Sequence, residues 1–159
     1  MSSVPDRGEI ATEYTWELSS LFDDDAAWEQ AHADAAAALD DVRAFEGQLA
    51  DDAETLLAGL ETYEDVMRLV ERVTTYARPR RDEDTRDDDG QAMATRAQSL
   101  GAEAASATSF IEPELQTLDR ETIDAYQAAE PDLATYDHYL DDVLRMKPHT
   151  RSPEVEELL

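Results

Sequence analysis

One segment carries the clearest structural pattern in the sequence: Asp51-Asp-Ala-Glu-Thr-Leu-Leu-Ala-Gly-Leu-Glu-Thr-Tyr-Glu-Asp-Val-Met-Arg-Leu-Val-Glu-Arg-Val-Thr-Thr-Tyr76. Its apolar residues recur three or four positions apart, which is the period of an α-helix. They form two adjacent stripes, so the broad apolar face predicts a central helix with two or more neighbours. The stripes are Leu56, Leu60, Tyr63, Met67 and Val70, and Leu57, Leu69, Val73 and Tyr76. We expect this helix to begin near Asp51-Asp52 and to end just before Pro79, because proline removes a helical hydrogen bond.

Helical patterns also flank this segment. On its N-terminal side, Asp23-Asp24-Asp25 suits the start of a helix over roughly 25–47, with Gly47 near its end. The apolar stripe there is Trp28, His32, Ala35, Leu39, Val42 and Leu49. On the C-terminal side, the polar run Arg80–Gly90 predicts a loop. The helix after it carries Met93, Ala97, Leu100, Ala104, Ala107 and Ile111, and its alanines, with Gly101, predict close approach of another helix.

Shorter helices follow. Pro113 interrupts the pattern, and we expect a helical turn over 114–118, a helix over 120–130 and a further helix that begins at Pro131. The last of these carries Leu133, Tyr136, Leu140, Val143 and Leu144. No segment alternates as a strand does. The sequence therefore predicts an all-α fold, an antiparallel bundle of long helices with short additional C-terminal helices.

Both ends of the sequence differ from this helical part. Residues 1–22 predict a polar leader and an aromatic anchor segment, Tyr14 to Phe22, lying against the helices. After the break at Pro148, Ser152-Pro153 suits a new helix start, yet a helix from Pro153 to Leu159 is too short to be stable alone. We therefore expect residues 148–159 to be the start of a truncated helix in a longer protein.

Composition excludes several classes of protein. The 159 residues include no cysteine, which excludes disulfide scaffolds and thiolate zinc sites. No apolar run reaches the roughly 20 residues of a membrane span, and no signal peptide is present, so we expect a cytoplasmic protein with no membrane partner.

The charge is strongly acidic. Thirty-nine acidic residues against 13 basic ones give a net charge of −26. Nucleic acid is excluded as a direct partner, because phosphate binding needs a cationic surface. Disorder conflicts with the periodic apolar positions, and mimicry of DNA is a rare alternative. The acidic surface of a cytosolic protein from a halophile explains the composition best, since carboxylates keep a protein soluble in strong salt.

No catalytic, cofactor-binding or metal-binding residue is predicted. The three histidines are His32, His138 and His149, no two are four residues apart, and no H-E-x-x-H motif occurs. We expect His32 to pack on its helix and His149 to stabilise a turn. A calcium loop ending at Gly90 fails because Thr85 and Arg96 stand where carboxylates are needed.

One basic cluster, Tyr76-Ala77-Arg78 with Arg80-Arg81, has two interpretations. The first is that it balances neighbouring acids. The second is that it contacts another part of a larger protein.

Four groups of residues carry a family pattern. They are Tyr14, Trp16, Leu18-Ser19, Leu21-Phe22 and Trp28; Tyr76-Ala77, Arg81 and Glu83-Asp84-Thr85; Ser109-Phe110-Ile111, Pro113-Glu114-Leu115 and Leu118; and Tyr136, Tyr139-Leu140, Leu144-Arg145, Lys147, His149, Glu156 and Leu158-Leu159. In this order they resemble the N-terminal helical region of the oligoendopeptidase F family, which are zinc metallopeptidases related to thimet oligopeptidase.

The resemblance implies a role without catalytic residues of its own. In the family the zinc ligands lie far downstream, so the resemblance implies zinc for the full-length enzyme and none for this chain. Residues 23–147 would form a helical wall of a channel that admits short peptides, packed on the absent catalytic domain, and the chain alone would hydrolyse nothing. The exposed apolar face of a detached domain could also mediate self-association. The alternative is a free-standing halophilic helical module that binds proteins or peptides.

Overall fold

The computed structural model describes Pro5 and residues 7–147, and every regular element among them is helical. The α-helices are α1 (Asp25–Arg43), α2 (Ala53–Glu83), α3 (Asp88–Ala107), α4 (Ile111–Leu115), α5 (Arg120–Ala129) and α6 (Asp137–Met146). Short 3-10 helices cover Arg7–Glu9, Thr12–Tyr14, Leu18–Ser20 and Pro131–Tyr136. The all-α class and the short C-terminal helices are confirmed, whereas the antiparallel bundle stays a prediction. The helix start at Ser152-Pro153 lies outside the described residues.

Aspartates begin several of these helices. The carboxylates of Asp24, Asp52 and Asp119 each accept a hydrogen bond of 2.8 Å from the backbone N–H three residues ahead. An N-cap of this kind satisfies one of the N–H groups that the first helical turn leaves without a partner. The helix starts predicted at Asp23–Asp25 and at Asp51-Asp52 are therefore confirmed.

The central helix is longer than predicted. Pro79 lies inside α2, which continues to Glu83, so the expected end before Pro79 is wrong. The turn after the proline is held by contacts from outside the helix. Arg80 donates to Asp25 at 3.3 Å and to Asp87 at 2.8 Å. The predicted loop Arg80–Gly90 is correspondingly reduced to residues 84–87.

The boundaries after α3 also differ from the prediction. Ile111 begins α4 and does not end α3, and Pro113 lies in the first turn of α4, where a missing N–H costs no hydrogen bond. The turn expected over 114–118 is thus displaced to Ile111–Leu115. Pro131 begins a 3-10 helix, and the α-helical geometry starts only at Asp137.

The helices divide into two compact units, and α1 and α2 contribute to both. The first unit consists of the described residues up to Leu39 together with Asp65–Ser106. Four of the buried apolar residues in this unit are alanines. Its buried apolar residues are Phe22, Trp28, Ala35, Leu39, Val66, Val70, Val73, Tyr76, Ala77, Met93, Ala97, Leu100 and Ala104.

Only part of the predicted aromatic anchor is packed in the first unit. The ring of Phe22 lies edge-on to Tyr76 at 5.5 Å, and the Arg72 guanidinium lies 4.9 Å above it. Tyr14 and Trp16, by contrast, are 78% and 57% exposed. The anchor prediction is therefore wrong for these two side chains.

The second unit consists of Asp40–Glu64 and the described residues from Ala107 onward. Its α1 portion ends at Arg43, before the predicted limit, and Gly47 adopts a φ of +81° in the turn that follows. The Glu114 carboxylate accepts hydrogen bonds from the backbone N–H groups of Gly47 and Leu49, and these bonds connect the turn to α4. Leucines and isoleucines fill the interior: Leu49, Leu56, Leu60, Ile111, Leu115, Leu118, Ile123, Leu133 and Leu140.

The close approach predicted for the small residues of α3 does not occur at Gly101, although Ala97 and Ala104 are buried. A Cβ added to Gly101 would meet no atom within 4 Å, so no helix approaches closely there. In the second unit, a Cβ at Gly59 would lie 2.4 Å from Cδ2 of the buried Leu49. Close packing around a glycine thus occurs at Gly59 on α2, and also at Gly90 on α3, where a Cβ would lie 3.3 Å from the Arg80 carbonyl oxygen and the Arg81 Cα.

Candidate functional site: a groove along α2 and α3

The two histidines among the described residues, His32 and His138, lie on different helices. His32 is half-buried on α1 with its ring 5.1 Å from that of Trp28, His138 is exposed on α6, and His149 lies outside the described residues. Within the described ranges, no three His, Asp or Glu side chains are grouped so that they could hold a metal ion. The packed position expected for His32 agrees with this contact.

The acidic loop after α2 is occupied by its own contacts. Asp84 binds the Arg86 guanidinium, and this hydrogen bond is the main reason why the pKa of Asp84 falls to about 2. Asp87 accepts from Arg80 and from the N–H of Asp89, and the Arg80 hydrogen bond lowers the pKa of Asp87. Asp87 therefore caps α3, and both carboxylates pair with arginines.

The basic cluster predicted from the sequence is divided between two surroundings. Arg80 joins a network at the start of α1, where Tyr76 donates its hydroxyl to Asp25 at 2.8 Å. Burial, followed by this hydrogen bond, raises the pKa of Tyr76 to about 12. A phenol with so high a pKa stays protonated at neutral pH and cannot act as a base. This half of the cluster is consistent with a structural ion network.

The other half of the cluster borders a groove of about 600 Å³. Residues from the second half of α2 form one side, and residues from the middle of α3 form the other. The groove lies wholly within the first unit. Its lining is Thr74, Thr75, Ala77, Arg78, Pro79, Arg81, Ala94, Ala97, Gln98 and Gly101.

Small residues account for the space in this groove. Ala77 and Ala97 are buried and form its floor, while Gly101 adds no side chain. Arg81 lies at the rim, where it donates two hydrogen bonds to Asp82 at 2.6 and 2.8 Å. Sequence reasoning found the arginines but missed Thr75 and Gln98. The available signal was the spacing of Ala94, Ala97 and Gly101, which places small residues on one face of α3.

The second unit contains a tyrosine with a raised pKa. Tyr139 is half-buried on α6, and its burial, with the nearby Tyr63 and Glu112, raises its pKa to about 12. This tyrosine therefore also remains protonated at neutral pH. Among the described residues, none of the helices combines the length and the apolar surface that crossing a lipid bilayer requires.

Peptidases of known sequence or structure resemble this chain over most of its length. The family model described as Oligopeptidase F matches residues 114–159. Oligopeptidase PepF of Bacillus subtilis is 30% identical over 99% of this chain, and Group B oligopeptidase PepB of Streptococcus agalactiae is 34% identical over 96%. The crystal structure of oligoendopeptidase-F from Enterococcus faecium, 31% identical, superposes with a TM-score of 0.75 over 86% of the chain.

These matches identify the part of the family protein to which the chain corresponds. The chain spans about a quarter of the length of the curated relatives, 24% and 26% of the two named, and 27% of the Enterococcus chain. It matches the N-terminal region of the oligoendopeptidase F-type peptidases. The resemblance stated from the four groups of residues is thereby confirmed.

Proposed function

We propose that this chain is the N-terminal helical domain of an oligoendopeptidase F-type peptidase and forms part of the wall around its substrate channel. The observation that carries the proposal is the alignment of almost the whole chain with only about a quarter of each relative. The relatives bear the names of oligopeptidases, so the substrate proposed for the full-length protein is a short peptide. The free-standing module considered as an alternative finds no support in these comparisons.

Zinc is proposed for the full-length enzyme alone. The sequence contains no H-E-x-x-H motif, whose two histidines on one helical face would bind the metal. We assign the metal and the catalytic chemistry to the remainder of the larger protein. The exposed Tyr14 and Trp16, which belong to the family pattern, are the proposed contacts with that remainder.

The source organism is proposed to be adapted to salt. A net charge of −26 on 159 residues keeps the surface hydrated where counter-ions are abundant, at the cost of self-repulsion where they are scarce. This proposal concerns the habitat and is independent of the peptidase assignment.

The first prediction concerns the size and activity of the native protein. An antibody raised against this chain should detect, in cells of the source organism, a polypeptide about four times the mass of the 17.8 kDa chain. The purified chain should leave oligopeptides intact with or without added zinc, because it has no metal-binding motif. Both readouts, immunoblotting and peptide mass spectrometry, are direct.

The control is the full-length Bacillus subtilis relative, assayed with the same peptides and metal. A native band at 17.8 kDa, or metal-dependent cleavage by the purified chain, would contradict the proposed function.

A further inference from the structure

The groove along α2 and α3 differs in charge from the rest of the sequence. Among the described residues that line it, none carries a carboxylate, and two are arginines. Acidic residues occupy 39 of 159 positions, so ten residues of average composition would include two or three. Because Arg81 is paired with Asp82, the lining leaves one unpaired positive charge, at Arg78, and Coulomb attraction at that side chain favours an anionic group.

Arg78 is the cation available in this groove. Its side chain is exposed and has no hydrogen bond or ion pair with the part of the chain that the structure describes. Arg81, by contrast, already binds Asp82, and the adjacent Arg80 binds Asp25 and Asp87. A free guanidinium presents a planar fork of N–H donors that matches both oxygens of a carboxylate.

The other lining groups suit a peptide. Thr75 and Gln98 are exposed, and within the described residues their hydroxyl and amide make no hydrogen bond, so both can bind a peptide backbone. The floor of Ala77, Ala97 and the bare backbone of Gly101 is apolar and leaves room for small side chains. A small inorganic anion would use Arg78 and leave these wall and floor groups without contacts.

We propose that this groove binds an extended acidic peptide, with a side-chain carboxylate of the peptide held by Arg78 and its backbone by Thr75 and Gln98. The occupant is a peptide supplied in solution. This inference concerns binding by the chain itself and does not depend on the proposed peptidase assignment.

The test is peptide binding to the intact 159-residue chain in about 0.15 M NaCl, where the Debye length of about 8 Å damps long-range repulsion by the net charge and preserves a contact with Arg78. The probes are acetyl-Ala-Glu-Ala-Glu-Ala-amide and the same peptide with glutamine at both glutamate positions, followed by NMR titration of the backbone amides. We expect the glutamate peptide to bind about fivefold more tightly, as an exposed charge-assisted contact provides. Shifts should concentrate at Thr75, Arg78 and Gln98.

Two variants assign this preference to one side chain. Arg78→Gln should reduce the ratio of the two affinities to about one. Arg68→Gln removes an equal charge from α2 outside the groove and should leave the ratio unchanged. An undiminished ratio in Arg78→Gln, or shifts located away from the groove, overturns the proposal.

Two further outcomes identify a different occupant and would equally overturn it. Inorganic phosphate that matches the glutamate peptide in affinity and in shift pattern would make the site a simple anion site. A concentration-dependent dimer of the free chain that Arg78→Gln abolishes, measured by sedimentation, would make the occupant a second copy.

Discussion

Trp28 illustrates how much one side chain in the first unit depends on distant residues. Its ring has no exposed surface, and its indole N–H donates to the Val73 carbonyl at 2.8 Å. The Arg96 guanidinium lies 5.2 Å from the ring centre and forms two hydrogen bonds with Glu29, at 2.6 and 2.7 Å. These hydrogen bonds lower the pKa of Glu29. The contacts join α1 to α2 and to α3.

Two of the helical glycines, Gly101 and Gly59, provide a prediction at this scale. Gly101→Ala should raise the free energy of unfolding by about 1 kcal/mol, because alanine favours the helix and its methyl group meets open space. Gly59→Ala should lower it by about 1 kcal/mol, because displacing the buried Leu49 costs more than the helix propensity returns. Urea unfolding followed by circular dichroism measures both. The packing argument fails if Gly59→Ala stabilises the protein as much as Gly101→Ala.

At the scale of the element, capping carboxylates link helix stability to pH. The backbone N–H of Thr122 donates to Asp119, the N-cap of α5, and lowers the pKa of this aspartate; its hydroxyl adds to the effect. A carboxyl with a lowered folded-state pKa stabilises the fold above the unfolded-state value of about 3.9. That contribution is lost as the pH falls through the folded-state pKa. Asp52 caps the start of α2 in the same way. The backbone N–H of Thr55 donates to this aspartate and lowers its pKa.

The prediction is that Asp119→Asn keeps the cap and loses this part of its pH dependence. Asparagine accepts the same backbone hydrogen bond without titrating. Between pH 7 and pH 5 the urea midpoint should therefore stay close to that of the unmodified chain, and below about pH 4 it should fall less steeply. Asp132→Asn, which removes an exposed carboxylate from outside any cap, is the matched control. Identical acid profiles for both variants would refute the capping argument.

At the scale of the whole molecule, net charge sets the conditions in which the fold is stable. Ion pairs such as Arg43 with Asp40 and Arg68 with Asp65 join exposed side chains, and pairs of this kind contribute little. They leave a net charge of −26 whose self-repulsion opposes the compact state. The repulsion reaches about 30 Å at 0.01 M salt and only about 3 Å at 1 M.

The unfolding temperature should therefore rise steadily as NaCl increases from 0.01 to 1 M, as measured by thermal circular dichroism. Sucrose, which favours compact states without screening charge, is the control and should leave most of the low-salt deficit in place. A melting temperature that is flat or falls with NaCl would show that self-repulsion does not limit stability.

The sequence by itself determined the all-α class of the fold and the residues at which several helices begin. The helical period of Leu56, Leu60 and Val70 depends only on local geometry, and capping by Asp24 or Asp52 needs only a side chain three residues from its N–H partner. The four ordered groups of residues were likewise sufficient to recognise the family. Interactions of this kind join residues close in sequence, so the order of the residues is enough to predict them.

The tertiary structure decided where helices end and where a groove forms between α2 and α3. Local rules predict that α2 ends before Pro79. The helix continues because Arg80, in its last turn, binds two carboxylates outside the helix, those of Asp25 and Asp87. Gly101 and Gly59 are both helical glycines, and the positions of Leu49 and Phe45 distinguish the packed one from the open one. Arg78 differs from its neighbour Arg80 only in which carboxylates the fold brings within reach. Contacts between residues far apart in sequence depend on the packed arrangement of the helices, which no local pattern encodes.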